Sequence, residues 1–225
     1  MRIPLQIYDF IAVIFPAVIL IFFIKYELSL DLFSKIQNDF EKNAFLFVFC
    51  YLVGHIIQLM ARKIERWNIP VFINKKTQEI DEEKYICLQG RKLKVKFPKK
   101  IGQAILESLN EFYGFTIAKD DPKLFELAYG PVHDRMGKRD VLLSVANMMR
   151  SLILVTIFCS IFLILKIVWC WIVFHQFDRN STILLIIFVG SFYLFRTGYY
   201  QNTLYSEEIP FTSFLAWYRE QKINK

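Results

Sequence analysis

The chain has 225 residues, of which 55% are hydrophobic, and it carries a formal net charge of +7 at pH 7. An apolar fraction this high argues against an ordinary soluble globular protein. No paired spacing links the four cysteines, so neither structural disulfides nor a zinc site is expected; they are Cys50, Cys87, Cys159 and Cys170.

Four apolar segments are each close to the ~20 residues that a helix needs to cross a bilayer. They are residues 7–24, 44–61, 151–174 and 182–200. Backbone polar groups in hydrocarbon must bond within their own segment, so we expect four transmembrane helices. The alternative for the second and the fourth is a buried helix of a soluble core. The fold class predicted is an α-helical integral membrane protein with a small α+β basic section between helices 2 and 3.

The distribution of charge predicts the orientation. Residues 61–150 hold 18 Lys and Arg against 12 Asp and Glu, whereas the short loops within each pair of spans are close to neutral. Because positively charged loops stay in the cytoplasm, both termini and the middle section are predicted to face the cytoplasm of a cell inner membrane. No small-residue cleavage pattern follows the first apolar segment, so we interpret it as a retained span and not as a signal peptide.

These features divide the chain into four parts. Residues 1–61 hold spans 1 and 2, 62–137 form the basic cytoplasmic section, 138–200 hold an amphipathic lead-in with spans 3 and 4, and 201–225 form an aromatic-rich cytoplasmic tail.

Span 2 carries a polar stripe. Tyr51, His55, Gln58 and Arg62 are spaced by four, three and four residues, which places them on one helix face. Contact with lipid is costly for such side chains, so the stripe faces protein or water. It is either a helix–helix contact held by hydrogen bonds or the lining of a pore.

The basic section contains a predicted hairpin. Residues 71–73 and 85–88 are short β-prone runs, and residues 92–97 alternate Lys with apolar side chains. On a strand this alternation places three lysines on one face. The predicted ligand-binding residues are Lys92, Lys94, Lys96, Lys99 and Lys100. Their ligand is either an anionic lipid headgroup or a polyanion such as a nucleotide or an oligonucleotide.

Helices are predicted after the hairpin. Pro98 opens the first and Gly114 ends it, with an apolar stripe between them. The members of that stripe are Ile101, Ile105, Leu109 and Phe112. A shorter helix is predicted over residues 123–129, where Gly130 and Pro131 stop it.

No Gly or Pro interrupts residues 138–174, which predicts one continuous helix through span 3. In its lead-in, one face is apolar and the opposite face is polar. The apolar face holds Leu142, Val145, Ala146 and Met149, and the polar face holds Asp140, Ser144, Asn147 and Ser151.

Span 3 adds three candidates for a pore lining to Tyr51, His55 and Gln58 of span 2. They are Thr156, Cys159 and Lys166, which lie near one helix face. Lys166 lies about one turn from the aromatic belt predicted at Trp169 and Trp171. It either extends to the outer interface or acts as a gate lysine or an ion-pair partner inside the membrane.

No arrangement of residues indicates an enzyme. The chain has no Gly-rich phosphate loop, no Gly-x-Ser-x-Gly and no His-Glu-x-x-His. His133 and Asp134 are an isolated pair, with too few further ligands for a metal site. We therefore expect no catalytic residue, no metal and no cofactor.

Two stretches carry a resemblance at the level of layout. They are residues 139–155 (RDVLLSVANMMRSLILV), which run into span 3, and the aromatic residues 195–218 after span 4. With two spans on each side of a basic section, the chain resembles small prokaryotic membrane effectors of antiphage defence, such as Hailong-type channel effectors and Kiwa-type membrane sensors. The resemblance implies a homo-oligomeric channel or sensor that works with a cytosolic partner, a nucleotidyltransferase or a DNA-binding protein, under a nucleic-acid-derived ligand.

The function expected is an oligomeric inner-membrane channel that an anionic ligand or a partner protein gates through the cytoplasmic section. The alternative is a non-conducting membrane anchor or sensor that recruits a cytosolic partner.

Overall fold

The computed structural model describes residues 5–28, 38–66, 83–176 and 178–224. In chain order the elements are α1 (Leu5–Leu28), α2 (Asp39–Arg66), β1 (Tyr85–Gln89), β2 (Lys94–Pro98), α3 (Lys99–Tyr113), α4 (Leu124–Tyr129), a 3₁₀ helix (Gly130–Arg135), α5 (Gly137–Phe174) and α6 (Arg179–Ile223). The helices α1, α2, α5 and α6 are each long and apolar enough to cross a membrane. The strand predicted at 71–73 lies outside the described residues.

The described chain divides into two compact units. The helical unit consists of residues 6–28, 38–66, 144–176 and 178–200, and the hairpin unit consists of residues 83–143 and 201–224. Helices α5 and α6 each contribute residues to both units.

The hairpin unit is built on β1 and β2, which pair antiparallel with Leu88 opposite Val95. The predicted alternation is confirmed over residues 94–97, because Val95 and Phe97 are buried while Lys94 and Lys96 are exposed. Strand geometry explains this result, since successive side chains point to opposite faces. The strand begins only at Lys94, so Lys92 lies in the turn and two lysines, not three, share the strand face.

Helix α3 follows β2 directly, with Pro98 as its N-cap, and ends at Gly114, whose φ of 72° is left-handed, as the sequence predicts. The predicted stripe differs from the buried face. Ile105 and Leu109 are fully buried, but Ile101 and Phe112 remain 43% and 41% exposed. Helix α4 ends at Tyr129, where the sequence predicts, and Gly130 and Pro131 begin a 3₁₀ helix.

The C-terminal tail is not a separate element, because α6 runs from span 4 through residue 223 without interruption. Its Phe211 and Phe214 are fully buried in the core of the hairpin unit, where they meet residues of β2, α3 and α4. A tail rich in aromatic residues therefore supplies apolar area that the short elements of this unit lack.

The lead-in of α5 also differs from the prediction. Ser144 and Ser151, which the sequence places on a polar face, are 3% and 0% exposed. Ser151 satisfies its hydroxyl by donating to the carbonyl of Asn147, 3.1 Å away. Small hydroxyl side chains of this kind can pack between helices once they bond to their own backbone.

In the helical unit, α1 and α2 approach each other closely at Gly54. A Cβ at this position would overlap the backbone of Val13. Glycine therefore permits the contact that a larger residue would block, as small residues do at helix interfaces of membrane proteins.

Both helix-interior prolines leave a carbonyl that a neighbouring side chain bonds. Pro16 has no N–H for the carbonyl of Ala12, and the Gln58 amide donates to that oxygen at 3.3 Å. Pro210 likewise has no N–H for the carbonyl of Ser206, to which Arg139 Nε donates at 3.2 Å.

Candidate functional site

The exposed face of the hairpin is basic. Opposite Tyr85, Cys87 and Gln89 of β1 lie Pro98, Lys96 and Lys94 of β2. The two lysines are exposed, and Lys96 Nζ lies 4.0 Å from the centroid of the Tyr85 ring. A cation over an aromatic face is attracted by the ring quadrupole, so Tyr85 positions this ammonium group on the sheet surface.

The remaining predicted lysines flank this face. Lys99 and Lys100 form the first turn of α3 and, with Lys84, line an open cleft of about 640 Å³. Lys92 lies in the β1–β2 turn. The structure thus distributes the five lysines over the turn, β2 and the start of α3; we call them, together with Lys84 and Tyr85, the lysine face.

The β1–β2 turn is bound by a buried carboxylate of α6. Glu207 is 1% exposed, and its Oε2 accepts a hydrogen bond from the backbone N–H of Arg91 at 2.5 Å. A Cβ on Gly90 would lie 2.7 Å from this oxygen, so glycine makes room for the carboxylate. Burial raises the pKa of Glu207, while the N–H groups of Arg91 and Lys92 and the charge of Arg139 oppose that rise.

Arg139 is a buried cation near this region of α6. It is 6% exposed, and its guanidinium carbon lies 5.2 Å from the ring centroid of Phe125 and 5.1 Å from that of Tyr129. Its bond to the Ser206 carbonyl ties the start of α5 to α6 within the hairpin unit. Arg139 thus packs against two aromatic rings and donates a hydrogen bond to the backbone of α6, and its guanidinium is buried from solvent.

Three candidates for a pore lining are enclosed within the helical unit. Gln58 bonds Ala12, Thr156 Oγ1 donates to the carbonyl of Ile153 at 2.8 Å, and Cys159 is fully buried. Tyr51 and His55, in contrast, are exposed on α2, with their rings 4.5 Å apart.

Lys166 forms an ion-pair cluster. Its Nζ lies 2.5 Å from Glu27 Oε2 and 3.4 Å from Asp178 Oδ2. Asp178, the residue before α6, also accepts hydrogen bonds from the backbone N–H and the hydroxyl of Ser181 and so caps the N-terminus of that helix. The cluster joins α1, α5 and the N-terminus of α6, so of the two alternatives the ion pair describes the contacts of this lysine.

A second charged cluster is not among the features predicted from the sequence. Arg150 Nη1 pairs with Glu65 Oε2 at 2.5 Å, and the Tyr199 hydroxyl donates to Glu65 Oε1 at 2.5 Å. The Arg150 side chain is 4% exposed, and no described residue accepts a hydrogen bond from its Nε or Nη2. Opposite charges at the ends of adjacent predicted spans are the signal that could have indicated this contact between α2, α5 and α6.

His133 and Asp134 remain an exposed pair, 3.0 Å apart. Over the described ranges no three His, Cys, Asp or Glu residues come together as metal ligands would.

No protein-family model, curated protein or solved structure matches the chain.

Proposed function

We propose that this chain is an oligomeric membrane effector whose hairpin unit binds a phosphate-bearing polyanion and thereby opens an ion path between copies. The observation that supports it most directly is the shared helix. Glu207 and Phe211, which hold the hairpin, lie on α6, and the same helix contains the predicted fourth span. A ligand on the hairpin acts on a membrane helix without any intervening linker.

The chemistry of the lysine face favours a phosphate ligand. Lys94 and Lys96 point from the same side of β2 and are about 6.7 Å apart along the strand. Lys84, Lys99 and Lys100 add positive charge at the adjoining cleft. Lysine ammonium groups bind phosphates as point charges, and an exposed Tyr85 adds an aromatic surface on which a nucleobase can stack. We therefore favour a nucleotide or an oligonucleotide over a lipid headgroup.

The ion path is proposed to lie between copies and not inside one. Gln58, Thr156 and Cys159 are buried and engaged within the helical unit, and Lys166 is paired with two carboxylates. Tyr51 and His55 face outward from α2 in a span where lipid contact is costly. These two side chains are the proposed lining, and they require a neighbouring copy.

The proposed setting is a cell inner membrane with both termini and the hairpin unit in the cytoplasm. The positive charge of residues 61–150 supports this orientation. The layout resemblance adds antiphage defence as the proposed context, with a cytosolic enzyme or DNA-binding protein as the source of the signal.

The test is ion flux from proteoliposomes that contain the full chain. A single-stranded oligonucleotide of about ten nucleotides, within the size range of such binding sites, is added on the side of the hairpin unit. We expect flux to rise with ligand. Lys94→Glu with Lys96→Glu should raise the half-maximal ligand concentration by about tenfold or more, because two phosphate contacts become repulsive.

The matched control is Lys123→Glu with Lys138→Glu, which makes the same charge change at two exposed lysines of the same unit that are not members of the lysine face. This variant should respond like the unmodified chain. Parallel vesicles with and without anionic lipid separate the two phosphate sources. Vesicles that stay impermeable under every condition would reject the channel.

A non-conducting anchor is the second candidate. It is favoured by the pairing of Arg150 with Glu65 and of Lys166 with Glu27, which neutralises buried charge inside one copy. Native mass measurement discriminates, since a monomer that binds the oligonucleotide supports an anchor and a stable oligomer supports the channel.

A further inference from the structure

We propose that Glu207 is the positioning residue that couples ligand binding on the lysine face to α6. This inference rests on the proposed function and names the contact through which its signal passes.

The contact is specific to one point of the hairpin. The Glu207 carboxylate accepts hydrogen bonds from the N–H groups of Arg91 and Lys92, the two residues that follow Gly90 in the turn. Consecutive backbone N–H groups in a turn form a concave anion site. Here the anion is a side chain of α6, and the close fit at Gly90 fixes its position.

The turn is also where the lysine face begins. Lys92 is itself one of the predicted ligand-binding lysines, and its backbone N–H binds Glu207. Lys94, the next such lysine, is the first residue of β2. A phosphate that draws the Lys92 and Lys94 side chains together changes the backbone of the turn. Because the N–H groups of that backbone bind Glu207, the change reaches α6 as a shift of its carboxylate.

A second contact of the hairpin with α6 is of a different kind. Phe97 of β2 meets Phe211 edge to face, with ring centroids 5.9 Å apart. Apolar packing tolerates small displacements, whereas a hydrogen bond weakens steeply with angle and distance. Of these two contacts, the Glu207 hydrogen bond is therefore the one that responds to small movements of the turn.

The test compares ligand affinity with ligand-dependent flux in the full chain, using the oligonucleotide of the previous experiment. Glu207→Ala removes both acceptor oxygens, and because coupling is reciprocal it should change the oligonucleotide affinity by no more than the coupling factor itself, about tenfold. It should reduce the ligand-induced rise in flux by about tenfold, within the range of typical coupling between sites. Glu207→Gln retains an acceptor oxygen and should restore most of the response.

The matched control is Glu220→Ala. It removes another acidic residue of α6 that pairs within the hairpin unit, with Arg135 at 2.8 Å, and that lies 13 residues further along α6 than Glu207. It should change neither affinity nor flux. Hydrogen exchange supplies a readout that does not depend on conduction. In Glu207→Ala the amides of Arg91 and Lys92 should exchange faster, while the paired amides of β1 and β2 stay protected.

The outcomes separate this inference from the proposed function. An unmodified chain that binds oligonucleotide without flux rejects the proposed function and, with it, the coupling. If the unmodified chain responds and Glu207→Ala responds equally, only the coupling is overturned. Loss of response in both the Ala and the Gln variant also overturns it, because the charge and not the turn contact would then be required. Loss of protection throughout β1 and β2 in Glu207→Ala would show that Glu207 serves folding alone.

Discussion

At the residue scale, two side chains compensate for helix-interior prolines. A proline leaves the carbonyl four residues earlier without its helical donor, and an unpaired carbonyl in an apolar environment is costly. Gln58 supplies the donor for Ala12, and Arg139 supplies it for Ser206. The sequence leaves Gln58 open between a pore lining and a helix contact, and its hydrogen bond to Ala12 is a helix contact.

A double-mutant cycle tests this role of Gln58. Gln58→Leu should lower the free energy of unfolding in detergent by roughly 0.5–2 kcal/mol, the range for hydrogen bonds inside membrane proteins. In a Pro16→Ala background the same substitution should cost less, because the introduced alanine restores an N–H for the Ala12 carbonyl. An equal loss of unfolding free energy in both backgrounds, measured by denaturant titration, would contradict the view that Gln58 compensates for the N–H that Pro16 lacks.

Glu207 leads to a prediction about pH. Burial raises its pKa above the ordinary value of about 4.3 for Glu, with Arg91, Lys92 and Arg139 as the groups that face it and oppose the rise. The folded hairpin unit therefore holds this proton more tightly than the unfolded chain. Its contribution to stability is present below about pH 4.3 and is lost as the pH rises through the folded value.

Glu207→Gln should remove this pH dependence, since its amide does not titrate. The melting temperature of the variant relative to the unmodified chain should increase as the pH is raised from about 4 to 7. Glu126→Gln, at an exposed acid 3.9 Å from Arg91, is the control and should show no such trend. A difference between the Glu207 variant and the unmodified chain that is constant with pH would contradict the prediction.

At the element scale, the sequence predicted most helices and the hairpin, and it predicted the buried side of β2 but not the buried face of α3. Alternation along residues 92–97 specified the exposed and buried sides of β2 because a strand has only two faces. The buried face of α3 differs from the stripe predicted for it. Gly102 is buried against Ile86, which shifts the packed face toward Ile105 and Leu109. Periodicity shows that a helix is amphipathic, but the partner decides which part of the stripe is covered.

A contact with a distant residue also explains why the C-terminal tail is helical. Pro210 in the sequence favours an end to the helix, yet α6 continues through it. The donor that permits this is Arg139, which is far away in the sequence and could not be assigned to Ser206 before the fold was known.

The contact of α1 with α2 gives an element-scale prediction. Gly54→Ala should destabilise the helical unit, because the added Cβ meets the backbone of Val13 and the helices must separate. Gly190→Ala in α6 is the matched control, since a Cβ there meets nothing within 4 Å. The control should be neutral or stabilising by up to about 1 kcal/mol from helix propensity. Thermal unfolding of both variants in detergent provides the comparison, and equal midpoints would argue against close packing at Gly54.

At the scale of the whole molecule, the charge distribution predicts the side of the membrane on which each loop lies. Lys94→Cys should react with a membrane-impermeant maleimide only after cells are permeabilised. Asn180→Cys, near the start of α6 in a predicted external loop, should react in intact cells. The unmodified chain reports the background from Cys87 and Cys170, which are partly buried. Reaction of Lys94→Cys in intact cells would reverse the orientation and remove the cytoplasmic ligand from the proposal.

The architecture of the candidate site was therefore only partly accessible from sequence. Lys94 and Lys96 lie on the exposed side of β2, where local alternation specified them. Lys92 lies in the turn, and Lys99 and Lys100 lie in the first turn of α3, which alternation along a strand does not specify. The sequence did not predict the roles of Glu207, Arg150 and Tyr199. Each of these residues hydrogen-bonds to a partner that is more than eighty residues away in the sequence. Long-range polar pairs leave little local signal.

The bond between Gln58 and the carbonyl of Ala12 has a consequence for biogenesis. During synthesis the first helix leaves the ribosome before the second, and in the interval it carries a carbonyl that the acyl chains cannot solvate. For the proposed membrane protein, we expect the insertion machinery to hold this helix in a hydrated or proteinaceous passage until the second helix arrives, so that the two enter the bilayer as a hairpin. When the ribosome is stalled so that the first helix has emerged but residue 58 is still inside the exit tunnel, the first helix should be extractable by alkali. When residue 58 has also left the tunnel, it should not be.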